Sequence, residues 1–220
     1  MSSVNIFFEN YFNKFEELFL RIGEEVTLKE GTTISSSDRE LYLYYIQDGI
    51  FILRLEHEEG ESKAFCYHSI GCINPYSPAR PQNGEFKIDL DYFVITALTE
   101  VKAIRIKPEV FYQSMLENPH LSIVMIDYII DHSNLYLKES LYLSYNSAFT
   151  KTCNFVYIYT QHLMQYGIRL TQSEIGDFIG ETRLEVARTM QKLRKMNIVE
   201  TSRYSIKVLD IERLKELSGS

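Results

Sequence analysis

Positively charged side chains lie at helical spacing near the C-terminal end of this 220-residue chain. The segment 183–195 carries five lysines and arginines and one acid. At 100° per residue, its apolar residues Val186, Met190 and Leu193 fall on one side of a helix, and Arg188 faces the other. An arginine guanidinium pairs bidentately with O6 and N7 of guanine, and cations attract phosphate. The spacing therefore predicts a helix that buries one face and offers the other to nucleic acid.

A large apolar residue, Leu184, falls among these cations on the outer side of the same helix. A hydrophobic core does not need a leucine on that side, whereas a surface that meets another molecule does. We therefore expect Leu184 to contact the same partner as the cations.

The sequence on either side predicts the elements that position this helix. Thr171 and Glu174 have the spacing of a capping box that opens a shorter helix, and Gly180 is expected to end it in a sharp turn. Two β-type runs, 198–201 and 204–209, join around Ser202-Arg203 and predict a wing. Two helices, a tight turn and a small hairpin make a winged helix-turn-helix, whose second helix fits a major groove.

This segment resembles the Crp/Fnr family of bacterial transcription regulators. The residues that carry the resemblance are the run Leu170-Thr171-Gln172-Ser173-Glu174-Ile175-Gly176, then Gly180, Arg183, Val186 and Arg188. The fold that it implies is α+β: an N-terminal cupin-like β-roll similar to cyclic-nucleotide-binding domains, a long dimerisation helix, and a C-terminal winged helix-turn-helix domain. We expect these parts at residues 1–118, 119–146 and 147–220.

The resemblance also implies roles for particular side chains. In the family, the residue at the Arg183 position reads guanine, and the residue at the Arg188 position contacts bases or phosphate. The family often has Glu between them, where this chain has Leu184, which implies weaker readout of cytosine and a contact with a thymine methyl group. An operator richer in A·T at that step is expected. Four further residues are candidates for phosphate contacts: Thr171, Gln172, Thr182 and Lys192.

The chain from about Glu24 to Lys107 consists of short β-type runs at spacings near ten residues, which is typical of an all-β sandwich or roll. The runs are Leu41–Ile46, Ile50–Leu55, Phe65–His68, Phe93–Leu98 and Val101–Ile106. Gln47-Asp48-Gly49 is expected to form a hairpin-type turn, and Asn74–Gly84 a loop. Before these runs, apolar spacing predicts an N-terminal helix through Phe8, Phe12, Phe15, Leu18 and Phe19.

A segment without Gly or Pro follows Asn118-Pro119 and predicts a helix of roughly 40 Å. Its apolar residues spread around more than one face, which favours a helix shared between its own domain and a second copy of the chain. A helix buried inside a monomer is the alternative. The candidate residues for the dimer interface are Leu121, Met125, Tyr128, Leu135 and Tyr142. Helices are also predicted to begin at Pro108 and to run from Phe149 to Tyr166.

The distribution of charge separates the two ends of the chain. The net charge of −7 argues by itself against a nucleic-acid partner. However, residues 1–147 hold 12 Lys and Arg against 22 Asp and Glu, and residues 148–220 hold 11 against 8. The C-terminal part is therefore positive, as an anionic partner requires. No run is apolar enough for a membrane span and the N-terminus does not read as a signal peptide, so a cytoplasmic protein is expected.

The N-terminal part lacks the residues that hold the known effectors of the family. A Gly-Glu pair and an Arg-Ser pair bind cyclic nucleotide there, whereas here Gly71 precedes Cys72 and the segment Asp89–Thr96 is acidic. No cysteine precedes Cys66, so a four-cysteine iron–sulfur site is not expected. Cys66, His68 and Cys72 are candidates for a redox or metal site, although buried thiols are more often inert. No cofactor is predicted, and an unknown small-molecule effector stays open.

These observations favour a homodimeric, sequence-specific regulator that binds double-stranded DNA at a palindromic operator and contacts RNA polymerase if it activates. The alternative is an effector-binding regulatory module that acts through protein–protein contacts. The sequence shows no nucleophile–base pairing and no phosphate-cradling glycine loop, so an enzyme is not expected.

Overall fold

The computed structural model describes residues 6–35, 42–56, 62–74, 80–82, 85–87, 93–202 and 205–219. The chain divides into two compact units, one of residues Phe7–Ser133 and one formed mainly by residues Asn134–Ser220. Sheets and helices both contribute, so the α+β class is confirmed.

The first unit contains most of the strands. They are β1 Phe7–Phe8, β2 Glu24–Leu28, β3 Thr33–Ser35, β4 Leu43–Asp48, β5 Phe51–Glu56, β6 Ser62–His68, β7 Ile73–Asn74, β8 Arg80–Gln82, β9 Glu85–Lys87, β10 Phe93–Ala97 and β11 Val101–Ile106. One sheet has the order β1-β6-β5-β10-β3 and the other β2-β11-β4-β7, while β8 and β9 form a separate hairpin. The pairs are antiparallel except β1 with β6. Five strands therefore lie close to the predicted runs.

Alternation of side chains explains how these strands build a core. In β11, Val101 and Ala103 are buried while Lys102 between them is exposed, and the strand ends with Ile104 and Ile106 also buried. Aromatic side chains supply much of the buried volume, with Tyr45 and Phe51 fully enclosed.

The Asp48-Gly49 turn was predicted as a hairpin, and the structure corrects this. Gly49 has a φ of +89°, as such a turn requires. However, β4 pairs with β11 and β7, whereas β5 pairs with β6 and β10. The turn thus passes the chain from one sheet to the other. A Cβ at Gly49 would lie 2.4 Å from the carbonyl oxygen of Glu100, so the crossing also needs the missing side chain.

Two further predictions are corrected in the same unit. The N-terminal helix is shorter than predicted, because Phe8 lies in β1, a 3-10 turn covers Asn13–Phe15, and helix α1 spans only Glu16–Ile22. Strand pairing with β6 takes up the backbone of Phe8. The predicted loop 74–84 contains the strand β8; residues 75–79 and 83–84 lie outside the described residues, as does the acidic stretch 88–92.

Helix α2, Pro108–Glu117, begins at the predicted proline, and helix α3, Pro119–Tyr145, covers the predicted long helix. The side-chain oxygen of Asn118 accepts a hydrogen bond from the backbone N–H of Leu121 at 3.3 Å, which caps α3. None of the helices in the described part of the chain has the length and apolar character that a membrane span requires.

The second unit consists of four more helices and a two-stranded hairpin. They are α4 Ala148–Ile158, α5 Gln172–Ile179, α6 Arg183–Lys195, β12 Val199–Ser202, β13 Ser205–Val208 and α7 Ile211–Leu217. A π-helical turn and a 3-10 turn extend α4 to Tyr166, and Gly167 then ends the helix with a φ of +70°. The predicted helix 149–166 and its glycine stop are therefore confirmed, with irregular winding in its second half.

Candidate DNA-binding site

Helix α5 begins at the predicted capping box. The Thr171 hydroxyl oxygen accepts a hydrogen bond from the backbone N–H of Glu174 at 3.2 Å, and the Glu174 carboxylate accepts one from the backbone N–H of Thr171 at 2.7 Å. The box satisfies donors that a helix start otherwise leaves open, which fixes the entry of the chain into α5.

A close turn joins α5 to α6. Gly180 ends α5 in the left-handed region with a φ of +68°. A Cβ on Gly176 would lie 2.5 Å from the carbonyl oxygen of Glu181, so the turn packs directly on the backbone of α5. The Glu181 carboxylate also accepts a hydrogen bond from the largely buried Lys151 ammonium of α4 at 2.7 Å. These contacts set the position at which α6 starts.

Helix α6 buries the predicted stripe. Its N-cap Thr182 accepts a hydrogen bond from the backbone N–H of Glu185 at 3.2 Å. Val186, Met190 and Leu193 are fully or almost fully buried, as the 100° rule predicted. The opposite side of the helix is therefore free to face solvent.

The three residues proposed to read bases lie on that outer side. Arg183 is exposed, and 59% of Leu184 is exposed. The Arg188 guanidinium, 64% exposed, donates a hydrogen bond to the carboxylate of Glu185 in the preceding turn. Glu185 had no predicted role, and the structure places its carboxylate in contact with the Arg188 guanidinium.

The hairpin β12–β13 forms the predicted wing. Its strands pair antiparallel with Ser202 opposite Ser205, whose hydroxyl oxygens are 2.7 Å apart. Arg203 and Tyr204 lie outside the described residues. The Arg194 guanidinium of α6 donates a hydrogen bond to the Thr201 hydroxyl, which ties the wing to the helix.

A groove of about 600 Å³ lies between the start of α5, helix α6 and the wing. Its lining brings two candidate phosphate contacts, Thr171 and Gln172, together with Arg183. Leu184, Arg188 and Lys192 lie outside the lining. Four polar side chains that the sequence did not single out also line the groove: Arg194, Thr201, Ser202 and Ser205. The three hydroxyl residues lie in strands of only four residues, and any exposed hairpin carries such residues, so the sequence pattern could not single them out.

The other two phosphate candidates have structural contacts of their own. Thr182 caps α6. The Lys192 ammonium lies 4.1 Å from the centre of the Phe149 ring, a cation–π geometry that holds this exposed side chain against α4.

The predicted dimer residues lie inside their own chain. Leu121, Met125 and Tyr128 are fully buried in the first unit, and Leu135 and Tyr142 are at most 6% exposed. They are therefore unavailable to a second copy, and this choice of interface residues is corrected. The face of α3 that does lie open carries large apolar side chains: Ile123, Ile126, Ile130, Leu137, Leu141 and Tyr145.

The predicted redox or metal candidates are separated by the fold. Cys66 and His68 lie together on β6, and Cys72 lies apart from them, although all three are fully buried. Burial raises the pKa of the Cys72 thiol to about 12, which makes it a poor nucleophile. His132 of α3, which was not predicted, lies beside Cys66 and His68 in place of Cys72.

The two histidines of this cluster are held neutral. Burial lowers the pKa of His132 to about 4. Burial, and then the proximity of His132, lower the pKa of His68 below its ordinary value.

A capped helix, a glycine turn, a second helix with exposed arginines and a hairpin wing define the winged helix-turn-helix class of DNA-binding domains. Comparison with family models agrees, because residues 153–217 match the Crp-like helix-turn-helix domain. A comparison with curated protein sequences found no match.

Solved structures extend this similarity to nearly the whole chain. A Crp/Fnr family transcriptional regulator from Eubacterium rectale has a TM-score of 0.74 at 17% identity, covering 96% of this chain and 100% of that one. FixK2 from Bradyrhizobium japonicum has 0.68 at 14%, covering 90% and 98%. The c-di-GMP-responsive regulator CLP of Xanthomonas campestris has 0.71 at 12%, covering 89% and 98%. Residues 153–217 are thus a Crp-like helix-turn-helix domain in a chain with the fold of the Crp/Fnr transcription regulators.

Proposed function

We propose that the protein is a homodimeric transcription regulator that reads DNA sequence with α6. The observation that carries this proposal is the outer side of α6, where exposed Arg183 and Arg188 flank exposed Leu184 while the inner side is fully packed. A solvated helix has no need of an exposed leucine between two arginines, whereas a major-groove surface uses all three.

Each group has a distinct role in this proposal. Arg183 and Arg188 contact base edges, and Leu184 meets a thymine methyl group. Thr171, Gln172, Thr182 and Lys192 contact phosphates, and the groove adds Ser202 and Ser205 of the wing to that set. Phosphate contacts set register, and base contacts set sequence. The alternative, a module that acts only through protein contacts, gives no role to the cations of α6.

Duplex binding tests the proposal. Selection from a random pool, followed by footprinting, is expected to recover two half-sites about one helical turn apart. Affinity should fall steeply with salt, because phosphate contacts release counterions. The double variant Arg183→Ala/Arg188→Ala should lose the selected site. A matched control is Arg213→Ala, which removes an exposed cation from α7. Equal binding by both variants would refute the proposal.

Selection also tests Leu184. The operator position that matters is the base pair between those read by Arg183 and Arg188. A strict G·C pair there would contradict the thymine contact, and a preference for A·T would support it. Leu184→Glu is expected to shift the preference at that step toward C, because glutamate accepts from cytosine N4.

The dimer is proposed to form through the open face of α3. Its exposed apolar residues are spaced by 3, 4, 7, 4 and 4 positions, close to a heptad seam. Ile126→Glu/Leu137→Glu should convert a dimer into a monomer in sedimentation, whereas Lys29→Glu, at an exposed position outside α3, should leave the dimer intact and serves as control. A wild-type monomer would overturn this part.

Four further statements about the protein stay predictions. The division into 1–118, 119–146 and 147–220, the cytoplasmic location, the contact with RNA polymerase and the absence of catalysis are expectations that follow from the proposed role.

A further inference from the structure

Three donor side chains meet in the dry interior of the first unit. Cys66 and His68 point the same way from β6, since alternate residues of a strand share a face, and His132 reaches them from α3. The Sγ of Cys66 is 3.6 Å from Nε2 of His68, which is 2.7 Å from Nε2 of His132. The ligand atoms all lie within 4.8 Å of one another, and all three residues are fully buried.

The histidine on α3 is oriented as a metal ligand is oriented. Its Nδ1 lies 2.7 Å from the carbonyl oxygen of Tyr128 and donates to it, which directs Nε2 toward Cys66 and His68. Metal-bound histidines usually donate their second N–H to a carbonyl in this way. The ring of Phe8 stacks on that of His132 at 4.0 Å between centroids and 15° between planes, which fixes its orientation.

The two distances that involve His68 suit a small ion after a minor shift, and the third, between Cys66 and His132, is within 4.8 Å. Bonds of about 2.0 Å to nitrogen and about 2.3 Å to sulfur place neighbouring ligand atoms about 3.3–3.7 Å apart. The sulfur–nitrogen distance already has this value. The two nitrogens need to separate by about 0.6–0.8 Å from their present hydrogen bond, which a small rotation of the His68 imidazole accommodates while His132 keeps its orientation.

Charge and ligand number favour one ion. A thiolate with Cu(I) makes a neutral site, whereas a thiolate with Zn(II) leaves a net positive charge in a fully buried place, which is costly. Thiolate and imidazole suit both metals, but structural zinc takes four protein ligands, and only three donors of this kind converge within the described residues.

We propose that Cys66, His68 and His132 bind one Cu(I) ion. The Cys66 thiol gives up its proton to solvent as the copper–sulfur bond forms, and the two neutral imidazoles each donate a nitrogen lone pair. No electron is transferred in this step. The site joins a strand of the roll to α3, and it is independent of the proposed DNA contacts.

Anaerobic titration of the full chain with Cu(I), in competition with a chromophoric Cu(I) chelator, tests the proposal. One equivalent should transfer to the protein. Cys66→Ala and His132→Gln should each weaken Cu(I) binding by at least about 100-fold. Loss of a residue that only supports a ligand costs at most about that much, so a larger loss indicates a direct ligand. Cys72→Ala and Cys153→Ala remove equally buried thiols and should leave the affinity unchanged.

X-ray absorption on the wild type guards against variants that fail to fold. It should show one sulfur and two nitrogen ligands. Failure to take up Cu(I), a shell of two sulfurs, or loss of binding in Cys72→Ala would overturn the proposal. Tighter binding of Zn(II) than of Cu(I) under the same competition would overturn the choice of metal.

Discussion

The outer side of α6 and the Cys66–His68–His132 cluster place polar side chains in opposite surroundings. On α6, Arg183 and Arg188 are exposed to water, which stabilises each charge, and Arg188 is also paired with Glu185. In the cluster all three side chains are fully buried, and burial lowers the pKa of both histidines, which keeps the two imidazoles uncharged. Substitutions on the outer side of α6 should therefore change DNA binding with little effect on stability. Substitutions in the cluster should lower stability with little effect on DNA binding.

Placing an aspartate in the buried cluster and another on the outer side of α6 should give the largest difference in the free energy of unfolding. Cys66→Asp puts a carboxylate where no water reaches, and we expect a loss of about 3–5 kcal/mol in the free energy of unfolding, measured in urea. Leu184→Asp, in the exposed position, should change it by less than about 0.5 kcal/mol. Similar losses in the two variants would break the comparison.

Removal of one reading side chain should affect recognition alone. Arg183→Ala is expected to weaken binding to the selected operator by about 1–3 kcal/mol and to relax the preference at one base pair. Titration of duplexes varied at that pair measures both effects. A uniform loss across all duplexes would instead make Arg183 a phosphate contact.

The cap of α5 is an intermediate case, because it supports both the fold and the groove. Thr171→Ala should cost about 1 kcal/mol of stability by leaving the Glu174 N–H without its acceptor, and it should also weaken binding. Thr171→Ser keeps the hydroxyl and should restore both. If stability is restored without binding, the methyl group matters to the DNA contact.

The smallest effect is expected at Lys192. Lys192→Ala should weaken binding equally on operator and random duplex and reduce the slope of affinity against salt by about one counterion. Loss confined to the operator would assign this lysine to base reading. The control is Lys195→Ala, which removes another exposed cation about one turn further along α6.

The sequence was most informative where the interaction is local. The capping box at Thr171, the stripe Val186–Met190–Leu193 and the span of α3 depend on residues within one or two turns, and the structure confirms them. Periodicity along a single helix carries that information directly.

It was less informative where distant segments meet. His132 is 64 positions from His68, so no spacing could place it beside Cys66 in preference to Cys72. The Asp48-Gly49 turn has the residues of a hairpin, and only the pairing of its two flanking strands with other strands shows that it joins two sheets. The sequence shows that apolar residues spread around more than one face of α3, but which of them face their own chain depends on what packs against the helix, and the predicted interface residues were the buried ones.

The bond between Arg188 and Glu185 has a consequence for how the protein searches a genome. The Glu185 carboxylate takes up one nitrogen of the Arg188 guanidinium and places a negative charge beside it, so it repels a phosphate that approaches Arg188. Guanine O6 and N7 carry no formal charge, so the same carboxylate opposes base reading less than it opposes a phosphate contact. We therefore expect Glu185 to lower the affinity for random sequence more than the affinity for the operator, which would raise the ratio of the two affinities.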